Sequence, residues 1–217
     1  MHNVPGPKLF NKTTCVNTLK CFNTVSPEDV VKITTTLNKT SCDLDPIPTN
    51  LLIQYLDLLS KTIARVINCS IETGTVAVVL KSAIIIPTVK NNLPPTEIKN
   101  FRPISNLTFI SKILERVIYA QLTDYLNSNN LNEPMQSGFT ANCSTETALL
   151  KVQSDILGAP GEKKVTLLVL LDLSSAFDTL DHMHLLKTLE ICYNIKGKAL
   201  SWIQSYLMDR KQFVKVI

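Results

Sequence analysis

The chain has 217 residues, of which 45% are hydrophobic and 18% charged, and its formal net charge is +4. This composition excludes wholesale disorder, which goes with low hydrophobicity and high net charge, and the six glycines exclude a collagen-like repeat. The net charge is too small to indicate by itself that the protein binds nucleic acid.

The sequence carries no signal for a membrane span, for secretion, for a zinc site or for a protein partner. Its longest apolar runs are far shorter than the roughly 18 residues that a spanning helix needs. Residues 1–12 lack an apolar core of signal-peptide length, so we predict an intracellular protein, nuclear or cytoplasmic. The six cysteines include no C-x-x-C pair and no nearby histidine, which favours free thiols over zinc ligands or disulfides.

The N-terminal part of the chain changes character at a helix start. Residues 1–25 show no clear period and are predicted to form a poorly ordered lead-in. The string Ser26-Pro27-Glu28-Asp29 then combines a capping serine, a proline at the first helical position and an acidic residue three positions after the cap. This combination predicts a helix over 27–38.

Further helices and a first strand follow. The apolar spacing over 51–72 predicts one broken helix or two short ones, with Gly74 as the stop. We assign 26–80 to a helical region that precedes the rest of the chain. The short β-branched run at 83–89 predicts a strand, and Pro87 places it at a sheet edge or ends it.

The middle of the chain contains two strongly periodic helical segments. Apolar residues recur on one stripe over 107–127, which predicts a long amphipathic helix. A loop at 129–142 separates it from Ser144, which caps a second predicted helix over 145–157.

An unbroken apolar run, Val165–Leu171, leads directly into Asp172. A run without alternation predicts a strand buried on both faces. Asp172 would then hold its carboxylate at the edge of an apolar core, where an ionised group needs a positive partner such as a metal ion. The alternative is that Asp172 caps the following turn, and its spacing alone does not decide between the two.

The C-terminal part again predicts helices, at 181–191 and 198–207, before the start of a strand at 213–217. Many helices with few strands predict an α+β fold, in which helices pack on a small sheet.

Five stretches, which occur along the chain in the same order as in the family, resemble segments of one known family. LLDLSSAFDTLDH at 170–182 resembles motif A of the reverse transcriptases (RNA-directed DNA polymerases) of non-LTR, LINE-type retrotransposons. KSAIIIPTVK at 81–90, followed by KNFRPISNLTFISKILERVI at 99–118, resembles their fingers region. The stretches 122–152 and 200–214 resemble the blocks before and after motif A.

The resemblance implies a fold and a reaction. The fold would be an incomplete right-hand polymerase, with the fingers and the first half of the palm over 81–217. The complete enzyme would synthesise DNA on an RNA template from a DNA primer and dNTPs, with Mg²⁺ as the cofactor.

The resemblance also implies roles for particular residues. Asp172 corresponds to the first metal ligand and catalytic aspartate, and Leu173 would add its backbone carbonyl. Phe177 corresponds to the bulky residue beneath the incoming sugar, unless it only packs in the core. Lys90 and Arg102 correspond to residues that contact the incoming nucleotide, unless they are ordinary surface charges. The QSGF turn, which lies near template or nucleotide in the family, corresponds to Gln136, Ser137, Gly138 and Phe139.

One part of the family pattern does not occur in the 217 residues. The second catalytic block, a Y/F-x-D-D turn with the remaining metal aspartates, is absent from the sequence. We therefore predict that this chain alone is inactive and binds Mg²⁺ weakly or not at all. The alternative is a non-catalytic module, a remnant or a repurposed piece, that binds nucleic acid.

Overall fold

A computed structural model describes residues 17–90, 94, 96–161, 165–173, 176 and 178–215 of the chain. These residues form a helix-rich structure with one small sheet, in agreement with the predicted α+β class. In chain order the elements are α1 (Pro27–Thr36), α2 (Thr49–Gln54), α3 (Leu56–Thr73), α4 (Val78–Lys81), β1 (Ser82–Val89), β2 (Phe101–Leu107), α5 (Phe109–Ser128), α6 (Thr145–Gly161), α7 (His182–Ile191), α8 (Gly197–Leu207) and β3 (Lys211–Val214).

The described residues divide into two compact units. The first unit holds those up to Asn129 together with those from His182 onwards, and the second holds those between Asn130 and Asp181. All three strands of the sheet therefore belong to the first unit, whereas α6 belongs to the second. The division into a helical region at 26–80 and a family domain at 81–217 stays a prediction.

The strand β1 is the centre of the sheet, whose order is β2-β1-β3. It runs antiparallel to β2 and parallel to β3, which confirms the strand predicted at 83–89. The described residues of β3 pair only with Ser82 to Ile85. At Pro87, β1 therefore has β2 as its neighbour on one side and no described strand on the other. Such a position tolerates a proline, which has no backbone N–H to donate to a second neighbour.

The strand β2 has no counterpart among the predicted elements. Pro103 stands within it and faces Pro87 across the pair, so neither strand has an N–H group to leave unpaired at that position. Residues such as Ser105 and Asn106 also give β2 no apolar alternation. Its partner β1, and not its own pattern, makes this segment a strand.

Local signals placed most helices correctly. The Ser26 hydroxyl accepts a hydrogen bond from the Asp29 N–H at 3.1 Å, and the Asp29 carboxylate accepts one from the Ser26 N–H at 3.0 Å, as the predicted capping box requires. The broken helix predicted over 51–72 is the pair α2 and α3, and α3 ends at Gly74 with a φ of 67°. The other predicted helices are observed, with ends shifted by a few residues, as α1, α5, α6, α7 and α8.

The core of the first unit also includes part of the predicted lead-in. The side chain of Phe22 is buried and meets Trp202 edge-on, with ring centroids 5.8 Å apart. The Leu19 N–H donates to the Asn194 carbonyl at 3.3 Å, and the Lys196 N–H donates to the Leu19 carbonyl at 2.9 Å. Residues 17–25 are thus held against α7 and α8, whereas residues 1–16 lie outside the described part.

The strand predicted at 165–171 is wrong. These residues have no regular secondary structure, and the apolar side chains of Val165, Leu170 and Leu171 are 99%, 84% and 89% exposed. A strand needs a neighbour that pairs with its backbone, and the described strands pair only with one another. The apolar run indicates that the segment could be buried, but it does not supply the partner.

Two observations bear on the membrane and thiol predictions. Within the described residues, no helix combines the length and the apolar character needed to cross a bilayer. The cysteines in the described part of the chain are free thiols.

Candidate functional site

Two of the predicted nucleotide-contacting residues lie at one end of the β1–β2 hairpin. Arg102 faces Thr88 in the register of the pair, and the Lys90 N–H donates to the Asn100 carbonyl at 2.8 Å, which extends the ladder beyond β1. Side chains two residues apart on a strand share a face, so Lys90 lies on the same face as Thr88 and Arg102. Such diagonal neighbours are about 7–8 Å apart, close enough for both cations to reach one phosphate group.

The Asn100 side chain ties together described residues between β1 and β2. Asn100 is 6% exposed, and its Nδ2 donates to the Pro94 carbonyl at 2.8 Å while its own N–H donates to the Glu97 carbonyl at 3.0 Å. Arg102 itself is exposed and has no hydrogen bond or ion pair with another described residue. Its guanidinium group can therefore take an anionic ligand without first breaking a pair with any described residue.

The predicted metal ligand belongs to the second unit. Asp172 is exposed, lies in the irregular segment after the apolar run, and has no hydrogen-bond partner among the described residues. Leu173 follows it and is 77% exposed. Neither residue stands at the edge of a buried strand, so the physical argument for Asp172 from a buried strand end does not apply. Phe177 lies outside the described residues.

The QSGF turn also belongs to the second unit, where it is an exposed, locally bonded loop. The Gln136 side-chain amide donates to the Gly138 carbonyl at 3.0 Å, and the Thr140 N–H donates to the Ser137 carbonyl at 3.3 Å. Phe139 adopts a positive φ of 59° and is 98% exposed. A fully exposed phenylalanine in this backbone conformation has no packing role among the described residues.

The structure therefore divides the described site residues between the two units. Lys90 and Arg102 belong to the first unit. Asp172, Leu173 and the QSGF turn belong to the second unit, where no hydrogen bond joins the turn to Asp172 among the described residues.

The chemistry of Asp172 fits one ligand of a Mg²⁺ site. Mg²⁺ prefers hard oxygen ligands and is usually held by one or two carboxylates together with substrate phosphates. An exposed carboxylate with an adjacent backbone carbonyl meets the first part of that requirement. Among the described residues no group of three or more His, Cys, Asp and Glu side chains is arranged to hold a metal. Asp172 and the Leu173 carbonyl are thus the only part of such a site that we assign among the described residues.

A second cationic cluster was not anticipated from the sequence. A cavity of about 390 Å³ in the first unit is lined by Lys112, Glu115, Arg116 and Tyr119 of α5, together with Leu37, Asn38 and Thr40, which follow α1. The spacing of Lys112, Arg116 and Tyr119, at i, i+4 and i+7, places them on one helix face. This spacing of two basic residues and an aromatic residue is visible in the sequence of α5, beside the apolar stripe that predicts the helix.

Comparison with known proteins gives consistent results. The family model described as "Reverse transcriptase (RNA-dependent DNA polymerase)" matches residues 89–216, a range that includes every predicted site residue. The chain is 31% identical over 126 residues to "Probable RNA-directed DNA polymerase from transposon X-element" of Drosophila melanogaster, which covers 58% of the chain. It is 29% identical over 136 residues, 63% of the chain, to "Probable RNA-directed DNA polymerase from transposon BS" of the same organism.

A third relative is "RNA-directed DNA polymerase from mobile element jockey", also of Drosophila melanogaster, 31% identical over 124 residues, or 57% of the chain. The matched segments span only 14%, 15% and 14% of these three relatives. These matches confirm the resemblance inferred from the sequence strings.

Proposed function

Because the chain belongs to the reverse transcriptase (RNA-dependent DNA polymerase) family, we propose that it contributes the incoming-nucleotide side of an active site for RNA-templated DNA synthesis. It carries part of a reverse transcriptase domain similar to those of non-LTR retrotransposons. In the proposal, 81–217 supplies the fingers and the first half of the palm of a right-hand polymerase. The RNA template, the DNA primer and the dNTPs are its proposed partners.

The observation that carries this proposal is the placement of Lys90 and Arg102 on one face at the end of the β1–β2 hairpin. An arginine can bind phosphate oxygens through two parallel N–H groups, and a lysine adds a compact point charge. Two cations at this separation can hold the triphosphate of an incoming nucleotide. The hairpin provides a rigid base because every residue from Ala83 to Val89 has a cross-strand partner in β2.

The remaining roles rest on the family and stay part of the proposal. Asp172 would hold Mg²⁺ through its carboxylate, and Leu173 through its backbone carbonyl. When bound, Mg²⁺ stabilises the charge on the attacking and leaving oxygens of the phosphoryl transfer. Phe177 would exclude a ribose 2′-hydroxyl beneath the sugar, and the QSGF turn would lie near template or nucleotide.

Nucleotide binding by the isolated 217-residue chain tests the hairpin part of the proposal. A fluorescent dNTP is titrated against the wild type and the variant Arg102→Gln, and we expect about tenfold weaker binding because a charge-assisted hydrogen bond contributes about 1.5–3 kcal/mol. Arg65→Gln is the matched control, since Arg65 is an exposed arginine on α3 that lines no part of the hairpin. Equal loss in both variants would contradict the proposed role of Arg102.

Primer extension tests the catalytic part. The 217 residues contain no Y/F-x-D-D string, so they provide Asp172 without the aspartates that complete a two-metal site. We expect no extension of a DNA primer on an RNA template by this chain with dNTPs and Mg²⁺. Extension that Asp172→Ala abolishes would show that the chain is sufficient and that this reasoning is wrong.

A second candidate function is a non-catalytic module that binds nucleic acid. The observation that favours it is the exposed Arg102, which has no hydrogen bond or ion pair with another described residue, together with a single metal-ligand position. This candidate predicts binding to RNA or DNA that falls steeply with salt, together with no binding of dNTPs at Lys90 and Arg102. The nucleotide titration above separates the two candidates.

A further inference from the structure

The cavity beside α5 combines two cations with an exposed aromatic ring, and the hairpin residues Lys90 and Arg102 are not among those that line it. Its described lining residues are Leu37, Asn38, Thr40, Lys112, Glu115, Arg116 and Tyr119. We propose that this cavity, here called the α5 site, binds a short stretch of single-stranded nucleic acid. Lys112 and Arg116 would contact its phosphates, and Tyr119 would stack on a base.

Lys112 is already positioned for an anion. Its ammonium donates to the Thr40 carbonyl at 3.0 Å and to the Asn106 side-chain oxygen at 2.9 Å, and it has no ion pair with a described residue. These acceptors use two of its three N–H groups and leave one for a ligand. Because the side chain is held in place by neutral oxygens, its full positive charge remains for a phosphate.

Arg116 stands one helical turn further along the same face. Its guanidinium carbon lies 5.3 Å from the centroid of the Tyr119 ring, and it has no ion pair among the described residues. This contact orients the planar group without neutralising it. Lys112 and Arg116 are about 6 Å apart along the helix axis, which spreads the positive charge along a strand rather than on one point.

Tyr119 supplies the feature that distinguishes a nucleic acid from a simple anion. It is 54% exposed, and the Arg116 guanidinium lies over one face of its ring. In the proposal a base stacks on the exposed part of this aromatic and guanidinium pair. A positively charged groove with an aromatic platform is the usual arrangement for sequence-independent binding of single strands.

The one carboxylate among the described lining residues is already engaged. Glu115 accepts a hydrogen bond from the Tyr206 hydroxyl, and Tyr206 stacks on Trp202 with ring centroids 5.4 Å apart. This bond directs one oxygen of Glu115 towards α8. Two cations against this single carboxylate leave the lining with a net positive charge.

The choice of nucleic acid over other polyanions rests on the proposed function, because a reverse transcriptase handles single-stranded template. RNA and DNA strands share the phosphates and bases on which the proposal depends. The experiment therefore uses a labelled RNA oligonucleotide and a DNA oligonucleotide of the same sequence, and measures the binding of each to the 217-residue chain by fluorescence anisotropy.

Four variants separate the contributions. Arg116→Gln should weaken binding about tenfold, as expected for a charge-assisted hydrogen bond. The slope of log affinity against log salt is negative, and this variant should make it less steep by about 0.7. Tyr119→Leu should weaken binding about fivefold or more with the slope unchanged, whereas Tyr119→Phe, which keeps the ring, should bind like the wild type. Arg65→Gln, the same charge change on α3, should leave affinity and slope unchanged.

Three results would overturn the proposal. They are equal losses in Arg116→Gln and Arg65→Gln, an equal loss in Tyr119→Phe and Tyr119→Leu, and complete competition by inorganic phosphate with no effect of Tyr119→Leu. Fluorescence of Trp202 verifies that each variant is folded. Oligonucleotide binding and dNTP binding test the two proposals separately. If the chain binds no dNTP but the Arg116 and Tyr119 variants behave as expected, the polymerase role alone is refuted. If the chain binds dNTPs but these variants do not behave as expected, the α5 site alone is refuted.

Discussion

Lys81 provides the sharpest test of how the first unit is held together. It is the last residue of α4, stands directly before β1, and is only 4% exposed. Its ammonium donates to the Ser205 carbonyl at 2.9 Å and to the Met208 carbonyl at 3.0 Å, at the C-terminal end of α8. The last carbonyls of a helix have no partner within the helix and carry partial negative charge, so a buried cation satisfies both needs.

The variant Lys81→Met keeps the length of the aliphatic stem and removes the two donors. A hydrogen bond from a charged group contributes about 1.5–3 kcal/mol, and removing the ammonium also removes its own cost of burial, which offsets part of the loss. We expect the free energy of unfolding to fall by about 2–3 kcal/mol.

Urea unfolding followed by tryptophan fluorescence measures this change where it occurs. The chain has one tryptophan, Trp202, which is buried in α8 one turn before the affected carbonyls. With a slope near 2 kcal/mol per molar urea, the midpoint should move down by about 1 M.

The matched control is Lys61→Met, which makes the same substitution at an exposed position on α3. We expect it to stay within about 0.5 kcal/mol of the wild type. If Lys81→Met also stays within that range, the two hydrogen bonds do not stabilise the end of α8 and the reasoning is refuted.

Three further predictions follow from single residues. Gly74→Ala should lower the free energy of unfolding by about 1–2 kcal/mol in the same urea assay, because φ is +67° and the new Cβ would lie 3.2 Å from the Lys198 carbonyl. Hydrogen bonds from the Ser26 backbone N–H and hydroxyl lower the pKa of the Asp29 carboxyl below 3.8 in the folded chain. The ionised carboxylate therefore stabilises the fold above pH 3.8, and this stabilisation is lost as the pH falls through the lowered pKa. Between about pH 5 and pH 2, the Tm of Asp29→Asn should therefore fall less than the Tm of the wild type. Burial and the neighbouring Glu115 carboxylate raise the pKa of the Tyr206 hydroxyl from 10.0 to about 12. The protonated hydroxyl therefore stabilises the fold below pH 10, and this stabilisation is lost between pH 10 and pH 12. A pH titration of tyrosinate absorbance should show one late step, which Tyr206→Phe removes.

Short-range signals account for the elements that were predicted correctly. The Ser26–Asp29 capping box and the Gly74 stop each depend on contacts within a few residues, so the local sequence contains the whole interaction. The apolar stripe of α5 similarly predicted the buried face that includes Ile113 and Val117.

The candidate site shows where that reasoning stops. The resemblance of ordered strings assigned roles to Lys90 and Arg102, but their common face exists because β2 pairs with β1, and the sequence pattern did not reveal β2. The cluster of Lys112, Arg116 and Tyr119 was visible as a spacing on α5, yet its significance depends on Thr40 and the other residues after α1 that complete the cavity.

Residue order and neighbours along the chain were enough to predict the family, the α+β class and the approximate positions of most helices. Which segments pair, and which basic side chains lie on a common face, became visible only in the folded chain. The contrast is clearest between Phe101–Leu107, a strand without a strand-like pattern, and Val165–Leu171, a strand-like pattern that stays irregular and exposed. A strand is completed by hydrogen bonds to another segment, and burial requires a covering surface, so neither property is contained in the segment itself.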